Sequence, residues 1–195
     1  GQLEQSAADY TATLRLSPGH TQALNNRGVV MAQLGRMEEA LEDLTKAIEI
    51  DSQDALAWSN RGLAHHQVEN YVDAISDYSQ AIFIQPEARL YFQRGNVYLD
   101  FDKPQQAIQD YTDALKLDKS LVRAFVNRGN AHSQLGNYQA AIADLRQANE
   151  LDRELSMAGA IEQLEQQLRK QQWQSVAAQG LQGWLATEGY EIRSD

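Results

Sequence analysis

The sequence predicts an all-α solenoid of tandem helix-turn-helix hairpins ending in a C-terminal capping helix, and three observations carry that prediction. Asn-Arg-Gly, or its near copy Gln-Arg-Gly, occurs four times, ending at Gly28, Gly62, Gly95 and Gly129, at intervals of 34, 33 and 34 residues. Twelve residues after each glycine an alanine opens a second signature, at Ala40, Ala74, Ala107 and Ala141, followed in each copy by Asp43, Asp77, Asp110 or Asp144. Seven residues beyond each of those alanines stands another, Ala47, Ala81, Ala114 or Ala148. A unit of roughly 34 residues holds two helices of about 12 to 14 residues and two short turns, and a chain that copies it stacks hairpins.

The period and the correlated small residues resemble the tetratricopeptide repeat (TPR) family, in the Asn-Arg-Gly style of bacterial members. The resemblance implies a right-handed superhelix whose inner face is lined mainly by the first helix of each hairpin, helix A, and takes up extended peptides or partner helices. The repeats then fall at 21–54, 55–87, 88–121 and 122–155, preceded by the second helix, helix B, of a partial repeat over 1–20. That partial unit reads as a fragment of an upstream repeat or as an N-terminal cap, with the fragment preferred. Residues 156–172 form the capping helix and 173–195 an apolar tail, helical in part.

Each element has a local reason. Ala23, Leu24, Arg27, Gly28, Met31 and Leu34 recur at three- and four-residue steps, the spacing of one buried helical face. Gly35 and Gly136 end helix A in the first and fourth repeats, whereas Glu69 and Asp102 occupy the same turns, so a left-handed residue is not expected to be essential there. The small residues at Gly28, Ala40 and Ala47 and their copies allow close helix approach. Trp58, Tyr91 and Phe125 follow Leu24 in register, and Tyr78 and Tyr111 alternate with Leu44 and Leu145, as core fillers. Burying one such ring contributes about 1.5–3 kcal/mol. After Asp152 the pattern stops, and Leu155, Ala158, Ile161, Leu164 and Leu168 make one apolar stripe on an otherwise polar helix. Val176, Leu181, Trp184, Leu185, Tyr190 and Ile192 make the tail too apolar for a solvated end. It folds onto the cap, or it occupies a groove or a neighbouring copy.

Composition narrows the function. Seventeen basic against twenty-seven acidic residues give a net charge of −10, which disfavours nucleic acid and anionic lipid. No apolar run is long enough to insert into a membrane, and no signal-peptide pattern is visible. The absence of cysteine removes disulfide and thiolate chemistry without choosing a compartment, which stays open with the cytoplasm as default. No nucleophile and base, phosphate loop or distinctive carboxylate pair is recognisable, so no catalytic residue, metal or cofactor is expected. His65 and His132 occupy equivalent places on helix A and read as packing residues, and adjacent His65 and His66 diverge by about 100° on a helix.

What remains is protein or peptide binding. By the family's pattern the groove is lined by Asn25, Asn26, Asn60, Leu63, Arg89, Phe92, Gln93, Asn96, Arg123, Asn127 and Asn130. Asn26, Asn60 and Asn127, with Gln93 in the third copy, form an amide row. Carboxamides both donate and accept, so the row can hold an extended backbone, like the asparagine ladder of the O-GlcNAc transferase repeat domain, or it can bridge neighbouring helices. The two-carboxylate clamp of some family members needs a lysine and an asparagine where this chain has Asn25 and Val29, and is disfavoured. Arg27, Arg61, Arg94 and Arg128 recur in register with the aspartates, and each guanidinium is expected to pair with a helix B aspartate of its own or the preceding repeat rather than with a ligand. The alternative to a peptide adaptor is an assembly module that self-associates through 173–195, since repeats of this style also resemble bacterial, particularly cyanobacterial, proteins that assist assembly of membrane or photosynthetic complexes.

Overall fold

A computed structural model describes residues 1–187; Tyr190 and Ile192 of the predicted tail lie outside the described residues. The helices are α1 Gln2–Leu16, α2 Thr21–Gln33, α3 Met37–Ile50, α4 Ala55–Gln67, α5 Tyr71–Ile84, α6 Ala88–Asp100, α7 Pro104–Leu117, α8 Val122–Gln134, α9 Tyr138–Leu151 and α10 Ala158–Thr187, with a 3-10 turn at Arg153–Leu155. No strand occurs among the described residues. Each helix packs on its chain neighbour, and α2, α4, α6 and α8 also touch in sequence, so the A helices share one face of a right-handed α-solenoid.

The eight signature alanines, Ala40, Ala47, Ala74, Ala81, Ala107, Ala114, Ala141 and Ala148, are all 0% exposed, because each helix B is pressed between two neighbours, an A helix on either side or, for α9, α8 and α10. Close approach is enforced by the glycines: a Cβ on Gly28 would lie 2.7 Å from Leu44 Cγ, and one on Gly95 2.8 Å from Tyr111 Cε1. Tyr78 and Tyr111 are fully buried. Trp58, Tyr91 and Phe125, expected as core fillers, are only partly buried, and each lies under the arginine three residues on, at 4.9, 5.8 and 5.6 Å from guanidinium carbon to ring centroid.

The A-to-B turns correct the sequence reading. Glu69 and Asp102 adopt φ of 59° and 54°, as left-handed as Gly35 at 76° and Gly136 at 72°. The cause is the closure that all four share. The N–H groups of Arg36, Asn70, Lys103 and Asn137 donate to the carbonyls of Met31, His65, Tyr98 and His132 at 2.8–2.9 Å, and this six-residue closure turns the preceding residue left-handed whatever its side chain. Helix starts are more varied. Asp54 caps α4 by accepting from the N–H groups of Leu56 and Ala57, and Pro104 opens α7, where its missing N–H costs nothing.

The boundary expected at residue 172 does not fall at an element end, since α10 runs unbroken from Ala158 to Thr187. It lies antiparallel along α9. The Met157 N–H donates to Asn149 Oδ1 at 3.1 Å, Arg146 pairs with Glu165 at 2.8 Å, and Gln171 Nε2 donates to the Gly136 carbonyl at 3.3 Å. Ile161, Leu164 and Leu168 are half-buried on the way.

Candidate peptide-binding groove

Behind the groove stands a repeated ion-pair unit. Arg27, Arg61, Arg94 and Arg128 each hold the aspartate sixteen residues on, in their own repeat, by two parallel bonds: Nε to Oδ2 at 2.6–2.9 Å and Nη2 to Oδ1 at 2.7 Å, reaching Asp43, Asp77, Asp110 and Asp144. The remaining Nη1 crosses to the preceding helix B and donates to Thr11, Thr45, Ser79 or Thr112 at 2.9–3.2 Å. The aspartates are buried, and the pairs hold the Arg27, Arg61 and Arg94 guanidinium groups above the ordinary arginine range. Burial pushes the Asp110 carboxyl up, with Arg94 opposing the rise. Asp9 is exposed and pairs with no arginine among the described residues.

The hydroxyls were not read from the sequence, although they recur one residue after each Asp-Leu or Asp-Tyr: Thr11, Thr45, Ser79 and Thr112. The signal even stops on cue. The fourth repeat has Arg146 in that place, where no further Asn-Arg-Gly arginine follows and Glu165 of α10 is met instead.

On the shared A-helix face, the amide row does not stand free. Asn25, expected in the lining, is 2% exposed, and its Oδ1 accepts from Asn60 Nδ2 at 2.9 Å. It sits beside the Leu24 and Gly28 stripe, where α4 covers it, so its amide is satisfied by the neighbouring helix instead of a ligand. Asn127 Nδ2 likewise donates to Asn96 Oδ1 at 2.9 Å, and that oxygen also accepts from the Tyr111 hydroxyl at 2.8 Å, while Asn96 Nδ2 donates to Gln93 Oε1 at 3.4 Å. Asn60 and Asn127 therefore brace adjacent A helices. Asn26 and Gln93 are half-buried, and Asn130 is exposed.

Repeat two lacks the acceptor that Asn96 supplies in repeat three. Leu63 stands where the third repeat has Asn96, and the Tyr78 hydroxyl, the counterpart of Tyr111, is buried with no hydrogen-bond partner. Burial pushes both phenols well above the ordinary tyrosine range. His132 Nδ1 is also buried without a partner, and desolvation lowers the His132 pKa. His66, by contrast, bonds across the A helices to Asp100 at 2.7 Å.

Beside these polar groups the face exposes apolar and cationic side chains. Leu56 and Leu63 are 51% and 39% exposed, Phe92 is half-buried beside Tyr111, and Arg89 and Arg123 project with no ion pair among the described residues. At the C-terminal end, where a fifth A helix would continue the array, the 3-10 turn leaves a recess of about 400 Å³ lined by Val122, Arg123, Val126, Asn127, Asp152, Leu155 and Met157. The sequence pattern did not reveal this recess, because it depends on the turn that replaces the helix.

This architecture agrees with comparisons to known proteins. A TPR repeat model matches residues 31–68, and tetratricopeptide repeat models match 55–87 and 92–156. The chain belongs to the tetratricopeptide repeat family. No curated protein sequence matches it. Among solved TPR structures, a crystal structure of MamA superposes with a TM-score of 0.75 at 23% identity, over 80% of this chain and 92% of that one. YrrB, described as a TPR protein with an unusual peptide-binding site, gives 0.67 at 21% identity over 75% and 76%. The TPR domain of Arabidopsis OM64 gives 0.54 at 30% identity, over 57% of this chain and 94% of that domain.

Proposed function

We propose that the chain is a non-enzymatic interaction scaffold whose A-helix groove binds an extended segment of a partner protein. The carrying observation is the run of exposed apolar side chains on this face, Leu56 and Leu63 with half-buried Phe92, leading to the recess beside Val126 and Leu155. Apolar ligand side chains fill those places. Arg89 and Arg123, one repeat apart at the same helical position, supply donors to a backbone carbonyl or carboxylate. The amides contribute differently from a free ladder: Asn60 and Asn127 use one amide proton to hold the helices in register and keep their remaining donor and acceptor capacity for the ligand.

The test is peptide-library selection against the purified chain beside a Leu56→Glu/Leu63→Glu variant, with melting curves for both. Both leucines are exposed, so the variant is expected to fold. Peptides enriched on the parent and lost on the folded variant support the groove; enrichment unchanged by the variant, or no enrichment at all, refutes it.

A further inference from the structure

We infer that the protruding end of α10 is a self-association element that pairs antiparallel with the same segment of a second copy. Three contacts fix where the body stops supporting this helix. Met157 meets Asn149 near the end of α9, Glu165 meets Arg146, and Gln171 meets the Gly136 carbonyl just before α9 begins. Gln171 therefore marks the limit of α9. The sixteen residues 172–187 continue past it as helix, about 24 Å at 1.5 Å per residue.

The change of support is matched by a change of face. The stripe that lies on α9, Ile161, Leu164 and Leu168, would continue through Gln172 and Ser175, which are polar. Apolar character reappears at Trp173, five residues after Leu168 and so about 140° round the helix. Trp173 is 74% exposed and Val176 63% exposed. Residues 172–179 are exposed, and a stretch of sixteen residues containing two glycines is marginal as a helix by itself in water, so a partner is needed to hold it.

Two features select a second copy as that partner. Residues 171–187 contain no charged residue in a chain that is 23% charged, so like segments meet without repulsion. Helical register also places Trp173, Ala177, Gly180 and Trp184 on one line at steps of four, three and four residues, large at both ends and small in the middle. That order reads the same in reverse. In an antiparallel pair position 173 faces position 184 of the partner subunit and 177 faces 180, with small residues at the crossing where the backbones approach. Such a contact is isologous and closes as a dimer. The geometry also sends the two acidic bodies, in a chain of net charge −10, to opposite ends of the paired segment, farther apart than the roughly 8 Å Debye length at physiological salt.

The test is sedimentation equilibrium of the full chain across a range of concentrations, beside Trp173→Glu/Trp184→Glu and Trp173→Glu/Trp184→Lys. The parent is expected to show a concentration-dependent monomer–dimer equilibrium. The double glutamate should weaken it at least about tenfold with the melting temperature of the repeats unchanged, and the charge-paired variant should recover most of the loss, because each glutamate then faces a lysine of the other copy. A parent that stays monomeric overturns the inference, as does a dimer indifferent to the double glutamate. Failure of the charge pair to recover association overturns the antiparallel register.

Discussion

Removing Arg61 tests whether the arginine ladder is structural. Asp77 has a side chain 4% exposed, and both its oxygens receive bonds from Arg61, at 2.8 and 2.7 Å; His65 Nε2 lies farther off, at 3.9 Å. Arg61→Ala therefore leaves a buried carboxylate without its partner, which typically costs about 3–5 kcal/mol. It also removes the guanidinium from the Trp58 ring and the bond to Thr45. Arg36 and Glu39 form an exposed comparison pair, both 50% exposed, which solvent screens and whose loss leaves no buried charge. For a chain of this size each kcal/mol moves the melting temperature by about 2–4 °C. Arg61→Ala should thus lower it by roughly 6–12 °C, at the lower part of the energy range, and Arg36→Ala by clearly less. Stability in stacked repeats is distributed through their interfaces, so amide exchange should accelerate first in α4 and α5. The Arg61→Met/Asp77→Leu pair should recover much of the loss, since an apolar replacement leaves no buried charge. If Arg61→Ala melts within error of Arg36→Ala, the ladder is not structural and the reasoning fails.

Other substitutions separate the repeats from one another. Tyr111→Phe should cost about 0.5–1.5 kcal/mol through the lost bond to Asn96, whereas Tyr78→Phe, which deletes a hydroxyl without an acceptor, should cost nothing or stabilise; chemical denaturation compares the two. Glu69→Gly and Asp102→Gly should each raise stability by about 0.5–1 kcal/mol, because the left-handed penalty exceeds the extra chain entropy of glycine; an unchanged or lowered denaturation midpoint would refute this. Desolvation lowers the His132 pKa in the folded chain, so below the ordinary histidine range the unfolded state binds the extra proton first. That contribution is complete above the unfolded value and is lost as pH falls through the folded one. Melting between pH 8 and pH 5 should therefore fall more steeply in the parent than in His132→Tyr, which places the Tyr98 side chain of the third repeat at this position.

The hairpin repeat, its small-residue packing and the recurrence of arginine with aspartate were legible in the chain, because contacts inside a stacked unit recur at one period and leave correlated residues at fixed offsets. Spacing alone left open whether Arg61 reaches its own repeat or the previous one. Helix packing decided that it reaches both, the carboxylate of Asp77 at home and the hydroxyl of Thr45 behind. Asn25 turned inward because α4 covers it, a fact of neighbouring helices that no single helical pattern contains. Glu69 and Asp102 were misread because turn geometry is imposed by the six-residue closure around them and overrides side-chain preference. The groove's exposed residues and the end of support for α10 likewise exist only once the helices are stacked. A sequence records which surfaces are buried within a unit; only packing between units decides which remain open.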